Sequence, residues 1–277
     1  MTTTEETVWK ERLSAMDTSI EAIQLPGKSE ERLAQDEEWC VVTVEGSEKR
    51  IRFHDYAAIY EIPGLYEGLF YDRLECISPY RVTRLLAEVM RERGQSPEDL
   101  RVLDLGAGNG MVGDELQSLG VKTIVGVDII PEARAAAMRD REGIYQAYFV
   151  TDMTDLPKDD AQRLVSKELN CLTTVATLGF GDIPPKAFST ALSLIATPGW
   201  LAFNIKEDFL QEREDSGFAR MVRELSRLGV IRIEAYRRYR HRLAIDGRPL
   251  YYVAMIASKR KEVPLRLTEG ADPPRLQ

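Results

Sequence analysis

Apolar positions change their spacing several times along the chain, and each change marks a different element. From Glu5 to Ile23 they fall at Val8, Trp9, Leu13, Met16, Ile20 and Ile23. Steps of three and four residues predict an amphipathic helix, which Pro26-Gly27 ends. Trp39–Val44 and Arg50–Phe53 then flank Glu45-Gly46-Ser47-Glu48, the pattern of a β-hairpin. Tyr56, Tyr60, Tyr66, Phe70 and Tyr71 follow as an aromatic stretch broken at Pro63-Gly64. A helix is expected from about Pro79 to Arg93, ending at Gly94.

From Arg101 short apolar strands alternate with helical stretches. The expected strands are Val102–Leu105, Thr123–Val127, Tyr145–Val150, Leu172–Val175 and Trp200–Ile205. Between them lie helices near Met111–Leu119, Pro131–Arg139, Asp159–Leu169 and Pro185–Ile195, and a last helix covers Asp215–Leu228. Such alternation predicts an α/β fold with a doubly wound parallel sheet. Val230–Leu243 and Tyr251–Ser258 have no helix between them, so they pair as an antiparallel hairpin, with the second strand inserted beside the fifth. The expectation is a Rossmann-like, seven-stranded, mostly parallel sheet closed by that hairpin. Residues 1–95 form a helix and hairpin extension, 96–260 the main domain and 261–277 a loose tail.

Composition narrows the function classes. The chain has 277 residues and a net charge of −8, which opposes a polyanion and makes nucleic acid an unlikely partner. Cys40, Cys76 and Cys171 have no metal or disulfide spacing, and two histidines do not make a histidine-rich metal site, so no metal is expected. No apolar stretch approaches the ~20 residues of a membrane helix. Met1–Glu6 lacks the regions of a signal peptide, so a cytoplasmic location is the expectation.

The chemistry concentrates where a strand runs into glycines: Val102-Leu103-Asp104-Leu105-Gly106-Ala107-Gly108-Asn109-Gly110. Glycine permits the sharp turn and the close approach of a ligand. Two frames fit. From Gly108 the residues spell GxGxxG, a dinucleotide fingerprint ending at Gly113. From Asp104 they spell DxGxGxG. An acid at the strand end gives nothing to an anionic pyrophosphate, whereas it attracts an ammonium group, so the second frame is favoured. Asp128, in Val127-Asp128-Ile129, ends the next strand and suits two ribose hydroxyls, although an aspartate there also caps the helix at Pro131. Asp152, before Met153, ends the third strand and suits an adenine amino group, with the Met153 amide as a donor to the ring. A plain loop aspartate is the alternative. Asp104, Asp128 and Asp152 fall at equal steps of 24 residues, which places them at one edge of the sheet.

On these residues the stretch from about Leu100 to Lys259 resembles the class I S-adenosylmethionine-dependent methyltransferases. Ser78-Pro79-Tyr80 after the aromatic stretch, and Ala176-Thr177-Leu178-Gly179, make it similar to the group that includes the Williams–Beuren-region methyltransferase-like proteins. The resemblance implies S-adenosyl-L-methionine as cofactor, held by Asp104, Gly106, Ala107, Gly108, Asn109, Gly110, Asp128, Ile129, Asp152 and Met153. It also implies that Ala176 and Thr177 border the sulfonium. The [DN]PP[YF] motif of adenine and glutamine methyltransferases is absent, and Pro184-Pro185 reads as a helix start.

Methyl transfer from a sulfonium is a direct displacement in which positioning supplies most of the catalysis, and no acid–base pair is obligatory. Tyr66 and Tyr71 are expected to cover the cofactor and line a pocket for a small-molecule substrate, unless they are ordinary core. His54, His241 and Tyr71 are the candidates for a catalytic role. The run Arg237-Arg238-Tyr239-Arg240-His241-Arg242 fits a charged sheet edge or an RNA contact. Lys206 and Glu207 fit substrate contact or a solvated loop. A catalytically silent cofactor-binding subunit and an NAD-dependent oxidoreductase remain alternatives, and a homodimer stays open.

Overall fold

The alternating half of the chain folds into one seven-stranded sheet in the computed structural model, which describes residues 18–26, 33–178, 182–207 and 217–268. In chain order its elements are β4 (Arg101–Leu105), α3 (Met111–Ser118), β5 (Thr123–Asp128), α4 (Pro131–Asp140) and β6 (Ala147–Val150). They continue with α5 (Lys158–Val165), β7 (Cys171–Thr174), α6 (Pro185–Ser193), β8 (Gly199–Lys206), α7 (Phe218–Arg227), β9 (Ile231–Leu243) and β10 (Pro249–Lys259). The strand order is β6-β5-β4-β7-β8-β10-β9. β10 runs antiparallel to both β8 and β9 and lies beside the fifth strand, as the missing helix in the hairpin requires.

Strands sheathed by helices on both faces must be apolar on both faces. Leu103, Leu105, Val125, Val127 and Phe203 bury into a core with Phe188 of α6 and Phe218 of α7. On the other face Val102, Ile124 and Ala202 meet Leu116 of α3 and the helix α2 (Ser78–Glu92), which contributes Val82, Leu86 and Met90. β4 sits mid-sheet, so its carboxyl end and the turn after it open between the two layers, where ligands of open α/β sheets bind.

The extension differs from the expectation. Ile20–Gln24 is a strand, β1, antiparallel to β2 (Trp39–Val44), which pairs in turn with β3 (Ser47–Arg52). Strand pairing places Ile20 and Ile23 against the N-terminal core and overrides the helical spacing that ends there. The rest of the expected helix, residues 5–17, and Gly27 lie outside the described residues. The hairpin turn is two residues, Glu45-Gly46, both at positive φ (49° and 73°), shorter than the four-residue turn expected.

The aromatic stretch folds as α1 (Tyr56–Glu61), capped by Asp55, and then a π-helical segment, Glu67–Arg73. Its buried residues share a core with β2, β3 and Met111 at the start of α3, which docks the extension on the glycine turn. Part of the expected loose tail is packed. Val263 and Leu267, the latter in a short helix Leu265–Thr268, bury into the main core. Residues 269–277 lie outside the described residues, as do 215–216 of the last expected helix. Among the described residues no helix is long and apolar enough to cross a membrane.

Candidate active site

The turn after β4 is tied to the neighbouring strand: the amides of Gly106 and Ala107 both donate to the Val127 carbonyl, at 2.8 and 3.1 Å. Gly106 and Gly108 have φ of +70° and +54°. A Cβ on Gly106 would strike Thr177 at 2.7 Å, and one on Gly108 the Tyr60 hydroxyl at 2.5 Å. These two positions therefore need glycine for conformation and for space, and they leave bare backbone facing a cavity of about 290 Å³.

That cavity collects most of the residues named from sequence. Gly106, Ala107, Gly108 and Asn109 line one side, and Asp128, Ile129, Asp152 and Met153 continue it. Ala176 and Thr177 close the β7 side, and Tyr66, Tyr71 and His54 lie on the side of the extension. The Asp128 carboxylate accepts the Gly108 amide at 2.9 Å and the Ile130 amide at 3.1 Å, so it braces the turn and heads α4 at once. Both recorded bonds of Asp152, from the Thr154 amide and hydroxyl, fall on Oδ1. Those two donors hold its carboxyl below the usual carboxylate range. Ile129, 60 % exposed, is a large apolar side chain in this lining.

Two expected residues stand elsewhere. Asp104 does not line the cavity. It is one residue short of the strand end, buried between β5 and β7, and accepts Thr173 Oγ1 at 2.7 Å and Tyr145 OH at 2.8 Å. Burial outweighs those donors and pushes its carboxyl up to about 7. Gly110 heads α3 at φ +94° with its open face toward Arg141 and Tyr145 rather than the cavity. Neither residue is in the cavity lining, because the sheet's own hydrogen bonds and helix packing take those sites.

His241 is likewise removed from the site. It is buried on β9, bonded through Nδ1 to Ser78 Oγ at 2.6 Å, with its ring 4.0 Å from that of Tyr252. Burial drives its pKa well below the ordinary value, so it stays neutral and structural. Ser78 and Tyr239 also meet Asn204, whose Oδ1 accepts the Ala176 amide at 2.7 Å. This polar network holds Ala176 at φ +61°, beside the cavity. The basic run lies on the edge strand β9 and is compensated: Arg237 pairs with Glu88, Arg238 with Glu207, Arg240 with Glu75 and Arg242 with Glu38. Glu207 is thus engaged at the sheet edge.

Sequence reasoning missed several contributors. Tyr56 and Tyr60 of α1 line the cavity with Tyr66 and Tyr71, and ring centroids of 6.2, 5.3 and 6.1 Å link the four into one wall. The four-residue step from Tyr56 to Tyr60 was a readable helical signal. Glu67, Asn109 and Arg141 form a buried cluster behind the turn, with Glu67 Oε1 accepting from Asn109 Nδ2 at 2.7 Å and Arg141 Nη1 at 2.8 Å. Nothing in the sequence pairs Glu67 with Arg141 across 74 residues. Tyr148 donates to the Gly108 carbonyl at 2.8 Å. Asp182 stands 3.6 Å from His54 Nδ1 and shares the cavity lining. Gly179, Phe180 and Gly181 lie outside the described residues.

Residues 78–242, more than half of the chain, match the family described as Methyltransferase domain. The chain belongs to that family. The turn after β4 is accordingly read as the methyltransferase frame, and the expectation of an S-adenosylmethionine-dependent enzyme stands. No curated protein sequence matches the chain. Among solved structures, a putative RNA methyltransferase from Pyrococcus horikoshii is similar over 93% of this chain and 100% of its own, at 14% identity and a TM-score of 0.50. Magnesium protoporphyrin IX methyltransferase from Synechocystis PCC 6803, with bound SAM, is similar over 65% of this chain and 79% of its own, at 16% identity and a TM-score of 0.44. The fold is that of class I methyltransferases.

Proposed function

We propose that the protein transfers a methyl group from S-adenosylmethionine to a small, partly apolar molecule held under the tyrosine wall. The observation that carries this reading is the shared cavity: bare glycine backbone, Asp128 and Asp152 on one side, four tyrosines on the other. The residues fit the cofactor by their donor set. The Asp128 carboxylate suits the ribose hydroxyls, Ile129 gives the adenine an apolar face, Asp152 with the Met153 amide suits its polar edge, and Gly106–Gly108 leave room for the chain that bears the sulfonium. When bound, that group supplies an electrophilic methyl with a neutral thioether as leaving group.

The chain's own part is positioning and exclusion of water. Thr177, which crosses over Gly106, and Ala176, held by Asn204, border the reacting end. The tyrosine wall offers flat apolar faces and hydroxyl groups to an organic substrate. A nucleic-acid substrate is disfavoured by the net charge of −8 and by the pairing of the basic run with Glu88, Glu207, Glu75 and Glu38. Calorimetry with S-adenosylmethionine, followed by turnover on a panel of small molecules and on RNA, tests the reading. Tight, salt-sensitive RNA binding together with RNA methylation would reverse the substrate assignment.

A further inference from the structure

His54 follows β3 in the extension, and Asp182 precedes α6 in the main domain; the fold brings them to one cavity, 3.6 Å apart between Nδ1 and Oδ1. We propose that His54 is the catalytic base of an O-methylation, positioned by Asp182, and that the substrate is a hydroxylated aromatic compound. This rests on the cofactor-binding reading of the same cavity.

The other titratable groups around the cavity are unsuited to accept a proton there. The phenols of Tyr56, Tyr60, Tyr66 and Tyr71 are raised by burial and remain donors at neutral pH. Asp128 and Asp152 are engaged by backbone amides at the cofactor end. An imidazole can accept a proton on one ring nitrogen while the other faces a carboxylate, and the Asp182 carboxylate 3.6 Å away offsets the charge it gains. The His54 ring also meets Tyr56 edge-on at 5.8 Å, so the base stands at the end of the aromatic wall that would hold a flat ring.

With Nδ1 turned to Asp182, Nε2 is the proton acceptor. The substrate oxygen attacks the methyl carbon as its proton passes to Nε2. An O–C bond forms and the S–C bond breaks, its electron pair leaving on the neutral thioether. The resulting imidazolium is paired with the Asp182 carboxylate and releases its proton to solvent after product leaves. No oxidant or metal is required.

The test uses the full chain with phenol, 4-nitrophenol, aniline and thiophenol as probes, and the variants His54→Gln, His54→Ala and Asp182→Asn. Melting temperature and calorimetric affinity for S-adenosylmethionine are expected to stay near wild type in each variant. For the wild type, the two phenols are expected to be methylated. His54→Gln should lower kcat on phenol by about 10²–10³-fold, the range of general-base catalysis, but on ionised 4-nitrophenol by less than about 10-fold. Asp182→Asn should lower kcat on phenol with little change in KM, and added imidazole should restore part of the activity of His54→Ala. Equal losses on both phenols overturn the proposal, and so does methylation confined to aniline or thiophenol or absent from both phenols. Failure to bind S-adenosylmethionine at all removes the cofactor reading and this proposal together, whereas binding without phenol methylation removes this proposal alone.

Discussion

The Asp128 carboxylate accepts the Gly108 amide at 2.9 Å, so the acid at the end of β5 clamps the turn after β4. It is 20 residues from the glycine and serves two ends of one site. Replacing it frees a buried turn amide and, on the function proposed above, removes a cofactor anchor. Asp128→Ala is expected to weaken S-adenosylmethionine binding by about 1.5–3 kcal/mol, the range for hydrogen bonds to a charged group. Calorimetry checks this, and an unchanged affinity would remove Asp128 from the site.

Gly108 faces the Tyr60 hydroxyl closely enough that a methyl group would collide with it. Gly108→Ala also places a Cβ at φ +54°, which costs about 1–2 kcal/mol in the left-handed region. The variant is expected to lose cofactor affinity and that much stability. Tyr60→Phe in the same chain should recover stability in part, because the phenolic oxygen is what the new methyl meets. Denaturant titration of the single and double variants reads the coupling; additive losses would show that the collision does not matter.

Much of this was readable beforehand because strands sheathed on both faces and a glycine turn leave strong local marks. Asp128, Asp152 and the antiparallel place of β10 follow from a strand end or a missing helix. What was not readable depends on contacts far apart in sequence. Ile20 and Ile23 keep helical spacing yet pair with β2, because a neighbouring strand offers more than local preference. Asp104 reads as an acid at the strand end, and only the fold shows that β7 supplies Thr173 and the segment before β6 supplies Tyr145 to its oxygens. His54 and Asp182, or Glu67 and Arg141, meet only once the extension docks.

Asp104 makes the fold pH-dependent. Its carboxyl is raised by burial from an ordinary value of 3.8 to about 7, so the fold prefers the protonated form. That contribution is fully present below pH 3.8, declines as pH rises and is lost by about pH 7, a swing on the order of 4 kcal/mol. Asp104→Asn cannot ionise and should lack this dependence. The stability difference between wild type and Asp104→Asn, measured at pH 4.5, 6 and 7.5, is expected to move steadily against wild type. A flat difference would contradict the assignment.

Arg141 and Glu67 are both buried, and their partners lie on the glycine turn. Removing one member strands the other charge. Arg141→Met is expected to destabilise the protein by about 3–5 kcal/mol, and Arg141→Met with Glu67→Gln by clearly less. Thermal melts of the two variants check this. Equal losses would mean that the pair contributes only packing.

Tyr66 and Tyr71 are neighbours in the wall, with ring centroids 6.1 Å apart, but they are held differently. Tyr71 is buried in the core of the extension, which also holds Cys76. Tyr66 is only half-buried, and its ring meets those of Tyr60 and Phe70 at tilted angles. Tyr71→Ala should therefore cost about 3–5 kcal/mol as a large-to-small core change, and any loss of turnover would be confounded with unfolding. Tyr66→Ala separates the two effects, because it takes a face from the cavity while opening a smaller hole. For Tyr66→Ala, KM for an aromatic substrate is expected to rise about 10-fold or more with a smaller loss of melting temperature, and Tyr66→Phe should behave as wild type. If Tyr66→Ala lowers the melting temperature as far as Tyr71→Ala does and leaves KM unchanged, the wall is core and the substrate binds elsewhere.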